Sequence, residues 1–260
     1  MNKKLSIITI NFNNFEGLKR TVESVVNQTW QEFEYIVIDG GSTDGSAEYL
    51  QSQSEHINYW VSEPDNGIYN AMNKGIARAA GQYLLFLNSG DHFYKNKILE
   101  QNHIFLNEKD LIYFNLNFVD KTNSRVGNYP EHLLFSHFIN DTLPHPATFI
   151  KSSLFKRVGL YDESLNIVSD WKFFILALFK YNCTYKKFDE VLATYYLDGI
   201  SSNLINQKMI YEERKSVLNS EFKGYIDDIT QLLELRTIVF NLRKSKKIGL
   251  LVKLGLIHKF

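Results

Sequence analysis

Leu84-Leu85-Phe86-Leu87-Asn88-Ser89-Gly90-Asp91 is an apolar run that stops abruptly in a polar turn closed by a carboxylate. The same pattern occurs twice upstream. Leu5–Ile10 runs into Asn11-Phe12-Asn13-Asn14, and Tyr35–Ile38 runs into Asp39-Gly40-Gly41-Ser42-Thr43-Asp44-Gly45. Short apolar runs alternating with helical patterns predict the buried strands of a parallel sheet. In open parallel sheets, ligands bind outside the carboxyl ends of the strands. Three polar turns at those ends would share one crevice. Asp39, Asp44 and Asp91 would give it the charge to bind a metal ion and a nucleotide.

Working outward, the first half alternates without interruption. Strands are expected at Leu5–Ile10, Glu34–Ile38, Ile57–Ser62 and Tyr83–Leu87, and helices at Phe15–Asn27, Ala47–Ser54 and Ile68–Ala80. Phe15, Leu18, Val22, Val25 and Val26 have helical spacing, as do Ile68, Met72, Ile76 and Ala79. This βαβαβαβ order is the signature of an α/β sheet. The stretch from Asp110 to Phe149 is rich in Phe, Tyr and Asn and reads as loops with short strands at Leu111–Asn115 and Ala147–Ile150. Helices are expected at Ser152–Arg157 and Asp170–Lys180, edge strands at Tyr185–Phe188 and Leu192–Tyr196, and helix from Asn206 onward. The expected domains are therefore 1–205 and a helical extension, 206–260.

The composition narrows the function classes. The chain has 260 residues, 44% hydrophobic and 22% charged, enough for one sizeable core with an appendage. The formal net charge is zero, so no general attraction to nucleic acid is implied. The single cysteine, Cys183, excludes an internal disulfide framework, fits a reducing compartment and reads as an ordinary buried thiol. Met1-Asn2-Lys3-Lys4 leads straight into a short apolar run, which is not the pattern of a signal peptide. No stretch approaches the roughly 20 apolar residues that cross a bilayer. A cytoplasmic protein is expected.

Several nucleotide sites are absent from the sequence. No G-x-G-x-x-G follows the first strand, there is no G-x-x-x-x-G-K-[ST], and no Cys/His spacing suits zinc. What is present is an ordered set: Ser6-Ile7-Ile8-Thr9-Ile10-Asn11-Phe12-Asn13; Val37-Ile38-Asp39-Gly40-Gly41-Ser42-Thr43-Asp44-Gly45-Ser46; Asn73-x-Gly75; Gly81-x-Tyr83; and Leu87-Asn88-Ser89-Gly90-Asp91. Over about residues 4–205 the chain resembles the family 2 glycosyltransferases. The stretch Ser62–Ile76, which includes Pro64-Asp65-Asn66-Gly67-Ile68-Tyr69-Asn70-Ala71-Met72-Asn73-Lys74-Gly75, resembles their bacterial exopolysaccharide branch, including colanic-acid-type transferases. The resemblance implies a GT-A-type, Rossmann-like, mostly parallel sheet flanked by helices. It also implies an inverting enzyme that takes a sugar from a nucleotide-activated donor, UDP-sugars favoured, to a glycan or lipid-linked glycan.

Residue chemistry fits that implication. Asp39 can accept from a base N–H or a ribose hydroxyl, with Thr9, Asn11 and Ser42 completing the pocket. Asn73 and Asn88 are the further donor-side candidates. Asp44 is equally suited to cap a helix. The leaving diphosphate develops charge that Mg²⁺ or Mn²⁺ can neutralise, and these ions take hard oxygen ligands. The sequence departs from the family here: its Asp-x-Asp-Asp pattern stands as Asn88-Ser89-Gly90-Asp91, leaving Asp91 as the metal ligand. His145, in Pro144-His145-Pro146, resembles a family histidine and is a second metal-side candidate. The family base lies downstream of a G-x-[FY]-D-E segment; Gly159-Leu160-Tyr161-Asp162-Glu163 and then Val168-Ser169-Asp170 make Asp170 the expected catalytic base. An N-cap for the helix that follows is its structural alternative. Asp198-Gly199-Ile200-Ser201-Ser202 resembles the loop that closes over the donor.

From Arg236 onward there is no acidic residue. Arg236, Arg243, Lys244, Lys246, Lys247, Lys253 and Lys259 alternate with apolar positions. A basic amphipathic segment of this kind suits an anionic membrane surface on the inner face of the plasma membrane, or a helix packed with a solvated basic face. Two other readings compete with the transferase. A sugar-phosphate nucleotidyltransferase would want a Gly-rich, cationic loop where Asn11-Phe12-Asn13-Asn14 stands. A non-catalytic sugar-nucleotide-binding or membrane scaffold is the other, motivated by Asn88.

Overall fold

The computed structural model describes residues 3–107, 109–120, 123–197, 199 and 204–258. The first half forms as its patterning predicts. Strands β1 (Leu5–Asn11), β2 (Phe33–Asp39), β3 (Tyr59–Ser62) and β4 (Tyr83–Phe86) alternate with helices α1 (Phe15–Val26), α2 (Ser46–Ser52) and α3 (Ile68–Arg78). Every residue of β1 and β4 is buried, which is why neither shows alternation in its sequence. Helix α1 starts where the Asn14 side chain accepts from the Gly17 amide, and it buries Leu18, Val22 and Val25. Helix α3 lies on the other face of the sheet. A β-carbon at Gly75 would fall 2.5 Å from Ile8 Cγ2, so the helix can approach β1 closely only with glycine there.

The second half adds β5 (His92–Phe93), α4 (Ile98–Asn102), β6 (Leu111–Val119), β7 (Ser124–Gly127), α5 (Phe135–Asn140), β8 (Thr148–Lys151), α6 (Ser153–Val158), α7 (Ser169–Phe179) and β9 (Tyr185–Tyr196). The sheet order is β3-β2-β1-β4-β8-β6-β9-β5, with β7 paired to β6. Parallel ladders join β1 with β2 and β4, β2 with β3, and β6 with β9. Strand β8 inserts antiparallel between β4 and β6.

The two expected edge strands are one strand, β9, and it is not at the edge: it runs between β6 and β5. Register shifts on either side of Asn115 leave Phe188–Glu190 and then Leu192 out of the pairing, and the charged Asp189 and Glu190 break the apolar pattern in the sequence. The Asn115 amide donates to the Asp189 carbonyl at 2.7 Å and satisfies the bulge. Strands β5 and β7 and helices α4 and α5 are short elements that periodicity did not announce. Helix α7 is apolar on every side and almost wholly buried, from Trp171 through Phe173–Leu178.

By its contacts the chain forms two units, residues 1–211 and 212–260. Helix α8 (Gln207–Glu221) crosses the division, and α9 (Lys223–Lys244) and α10 (Lys246–Lys253) follow. These last two helices bury none of their residues and expose Leu232, Leu235, Ile238, Phe240 and Leu250. Among the described residues no helix is long and apolar enough to cross a membrane.

Candidate active site

The carboxyl ends of β1, β2 and β3 are in register. Asn11 pairs with Asp39, and Asp39 with Ser62, so the three residues form one rung across the sheet. Asp39 is fully buried in its middle. Its carboxylate accepts from Asn11 Nδ2 at 2.7 Å, Ser42 Oγ at 2.6 Å, the Ser42 amide at 2.9 Å and Ser62 Oγ at 2.6 Å. Asn11 also donates to Ser46 Oγ at 3.0 Å, and its Oδ1 is buried without a partner among the described residues. Sequence reasoning missed Ser62 and Ser46; their signal was their place at strand and helix ends beside Asp39. Thr9 lies two residues back along β1, one rung inside the core. Its hydroxyl donates to the Leu87 carbonyl at 2.8 Å and meets Tyr35 Oη at 3.1 Å, so it supports the rung from behind.

A loop covers this rung. Gly41 has φ +79°, and a β-carbon there would crowd the Pro64 nitrogen at 3.2 Å. A β-carbon on Gly40 would meet Asp65 Oδ2 at 2.5 Å and Phe12 Cδ2 at 3.1 Å. Phe12 itself is 65% exposed at the end of β1. Asp44 binds the Phe15 amide at 2.8 Å and both the amide and hydroxyl of Ser46, joining the starts of α1 and α2. Slight burial pushes its pKa up, but these hydrogen bonds outweigh it and hold it below the usual carboxylate value. Asp44 is therefore a capping residue in this structure.

The Asn88–Asp91 turn is built on α1. The Thr21 hydroxyl donates to the Asp91 carbonyl at 2.6 Å and accepts from the Gly90 amide at 3.0 Å. Asn14 Nδ2 donates to the Ser89 carbonyl at 3.2 Å. Asp91 is buried, and Asn88 Oδ1 is a buried oxygen without a hydrogen-bond partner among the described residues. Among the described residues no three His, Cys, Asp or Glu side chains cluster to hold a metal. One carboxylate and one orphan amide oxygen fit an ion that arrives with a diphosphate; they do not make a self-sufficient metal cage.

The far wall begins on α3. Asn73, on α3, is engaged by the protein itself. Its amide donates to the Tyr161 carbonyl at 2.9 Å and Glu163 Oε1 at 2.8 Å, and its oxygen accepts from the Tyr161 amide at 3.1 Å. It clasps α3 to the Gly159–Glu163 segment. Asp162 pairs with Lys172 at 2.7 Å. Burial raises its pKa, but Lys172 and Ser164 outweigh that and keep the carboxyl below its ordinary range. His145 is buried, stacked on Phe86 with ring centroids 4.9 Å apart, and its Nε2 meets Tyr161 Oη at 2.8 Å. That nitrogen is committed to Tyr161, so His145 forms part of the wall, and only its Nδ1 would be left for a metal. Burial lowers its pKa against an opposing pull from the Asp170 charge, which favours the neutral ring.

Asp170 is the second residue of α7, not its N-cap, which is Val168. Its Oδ1 accepts from Tyr69 Oη at 2.9 Å, and no partner for Oδ2 is found among the described residues. Tyr69 stands inside the Ser62–Ile76 stretch, and a tyrosine one residue into a helix carries no local signal of a contact a hundred positions away. Of the Asp198–Ser202 loop, all but Gly199 lies outside the described residues.

Known proteins resemble this chain in sequence and in fold. The profile described as "Glycosyl transferase family 2" matches residues 6–158. The "Uncharacterized glycosyltransferase MT1564" of Mycobacterium tuberculosis is 39% identical over 178 residues, 66% of this chain and 68% of that protein. Among solved structures, Staphylococcus aureus TarS 1–349 in complex with UDP-GlcNAc aligns with TM-score 0.60 at 18% identity, over 74% of this chain and 58% of that one. The mannosyltransferase PcManGT of Pyrobaculum calidifontis, in complex with GDP-Man and Mn²⁺, aligns with TM-score 0.57 at 13% identity, over 76% of this chain and 58% of that one. These two likenesses concern the fold alone. With the family profile spanning more than half of the sequence and the fold matching solved glycosyltransferase structures, the chain belongs to glycosyl transferase family 2 and is a glycosyltransferase of GT-A fold.

Proposed function

We propose that this glycosyltransferase works with inversion, moving a sugar from a nucleotide-diphosphate sugar to a hydroxyl of a glycan or lipid-linked glycan in bacterial surface polysaccharide synthesis. UDP-sugars are the favoured donors, and the exopolysaccharide branch of the family is the favoured lineage. The observation that carries this reading is Asp170: a half-buried carboxylate at the start of α7, held through one oxygen and with no partner at the other among the described residues. Such a group can take the acceptor proton as the acceptor oxygen attacks the anomeric carbon. Asp162 suits that role less well, because Lys172 neutralises it.

On the donor side, the Asn11–Asp39–Ser62 rung, Ser42 and the exposed ring of Phe12 suit a nucleoside, the ring offering a flat face for a base. UDP-GlcNAc in TarS and GDP-Man in PcManGT support a sugar nucleotide as the donor class. A divalent cation, Mn²⁺ or Mg²⁺, would be held by Asp91 with Asn88 Oδ1 and would neutralise charge on the departing diphosphate. The basic, apolar segment 236–260 would bring the enzyme to an anionic membrane surface, where lipid-linked acceptors lie.

One observation favours a second reading, a non-catalytic sugar-nucleotide-binding scaffold: the missing acidic cluster among the described residues. One experiment separates the two. UDP, GDP and their sugars are screened with Mn²⁺ by thermal shift, since a ligand of the native state raises its melting point. Nucleotide release from the best sugar nucleotide is then measured for the wild type and Asp170→Asn. A loss of roughly 10²–10⁴-fold with unchanged donor affinity supports the base. Absence of wild-type turnover with any donor favours the scaffold.

A further inference from the structure

Tyr69 lies on α3, a hundred positions before α7 in sequence, yet its side chain ends at the start of that helix. Its hydroxyl is 2.9 Å from Asp170 Oδ1 and 2.5 Å from the Ile167 carbonyl oxygen. The ring is buried and tilted against Tyr161 at 5.8 Å, so the oxygen has little freedom to leave this position. A single hydroxyl proton therefore stands between two acceptors, one a carboxylate and one a peptide carbonyl.

We propose that Tyr69 is the positioning residue of the catalytic carboxylate, its hydroxyl serving Asp170 while that group is ionised and Ile167 once it is protonated. The proposal rests on the reading of Asp170 as base. Before transfer, the Tyr69 proton points to Oδ1, fixes the carboxylate rotamer and leaves Oδ2 for the acceptor hydroxyl. In the transfer step the acceptor O–H bond breaks and its proton goes to Oδ2. The freed electron pair forms the new bond to the anomeric carbon, and the bond to the nucleoside diphosphate breaks with its pair. Asp170 is then neutral and a weaker acceptor, and the Tyr69 proton turns to the Ile167 carbonyl. The buried hydroxyl donates in both protonation states, to Asp170 before transfer and to Ile167 after it.

The test is a double-mutant cycle in the full chain, with Tyr69→Phe, Asp170→Asn and both together. It uses the sugar nucleotide chosen by the melting screen, with water as acceptor. Turnover and donor affinity are measured for each variant. Tyr69→Phe should lower turnover roughly ten- to a hundredfold, the scale of a hydrogen bond to a charged group, with donor affinity unchanged. In the Asp170→Asn background it should add no further loss. An equal loss in both backgrounds, a loss of donor affinity, or full wild-type turnover in Tyr69→Phe overturns the proposal. Near-normal turnover in Asp170→Asn alone instead overturns the base on which it rests. Should Tyr69→Phe not fold, a fluorinated tyrosine at position 69 keeps every contact while changing hydroxyl acidity, and it should alter turnover only when Asp170 is present.

Discussion

Replacing Asp39 by asparagine should destabilise the catalytic unit even with no ligand bound. The side chain keeps its size, but one carboxylate oxygen becomes a donor. If the new amide nitrogen takes the Oδ2 position, it faces the Ser42 amide at 2.9 Å and the Ser62 hydroxyl at 2.6 Å. The hydroxyl can turn and accept; the backbone amide cannot. If the amide is reversed, its nitrogen faces Asn11 Nδ2 at 2.7 Å instead. Either orientation sets one donor against another in a fully buried position, and the remaining bonds lose their charge assistance. One lost charge-assisted bond with one stranded donor costs about 2–4 kcal/mol. For a unit of this size that is a drop of roughly 5–15 °C in melting temperature. Trp30, Trp60 and Trp171 all lie within residues 1–211, so tryptophan fluorescence reports this unit alone. An Asp39→Asn protein that melts with the wild type in the absence of nucleotide would refute the reasoning and return Asp39 to a purely ligand-binding role.

The metal assignment predicts that Asp91→Ala abolishes metal-dependent donor binding and Asn88→Asp strengthens it; calorimetry with the sugar nucleotide and Mn²⁺ tests both, and activity that persists in excess chelator would sink it. Removing residues 236–260 should abolish sedimentation with anionic vesicles and leave activity toward soluble acceptors intact, whereas equal sedimentation with and without the segment would point to a packed helix. Gly75→Ala should cost about 1–3 kcal/mol, because the added methyl overlaps Ile8 Cγ2 and α3 must shift to admit it; a denaturant midpoint equal to wild type would contradict the packing described.

The part of the fold legible in the sequence is the part built from buried parallel strands. Leu5–Asn11 and Tyr83–Phe86 announce themselves because both faces are covered and every position is apolar or small. Strand β7, exposed along Ser124–Arg125–Val126, carries no such pattern, and β9 is masked by its own bulge. The site follows the same logic. Asn11, Asp39 and Ser42 are neighbours through one strand pair and one turn, so a local reading finds them. Thr9 shares their motif but lies one rung deeper, a distinction that depends on where the sheet ends. Asn73 and Tyr69 act through partners about 90 and 100 positions away, and such contacts leave no trace in local spacing.

The insertion of β8 between β4 and β6 has a consequence for how the chain is made. Strand β4 leaves the ribosome with β1 available on one side only; its other neighbour, Thr148–Lys151, follows some 60 residues later. At the usual pace of synthesis that interval lasts roughly 3–12 s. Throughout it, Tyr83–Phe86 presents an unpaired, wholly apolar edge of the kind that recruits other strands. The first half of the sheet is thus completed only by a segment from the second half of the chain. Nascent chains stalled near residue 120 should be cleaved readily by protease, and those stalled beyond about residue 240, with the first 200 or so residues clear of the exit tunnel, should resist it.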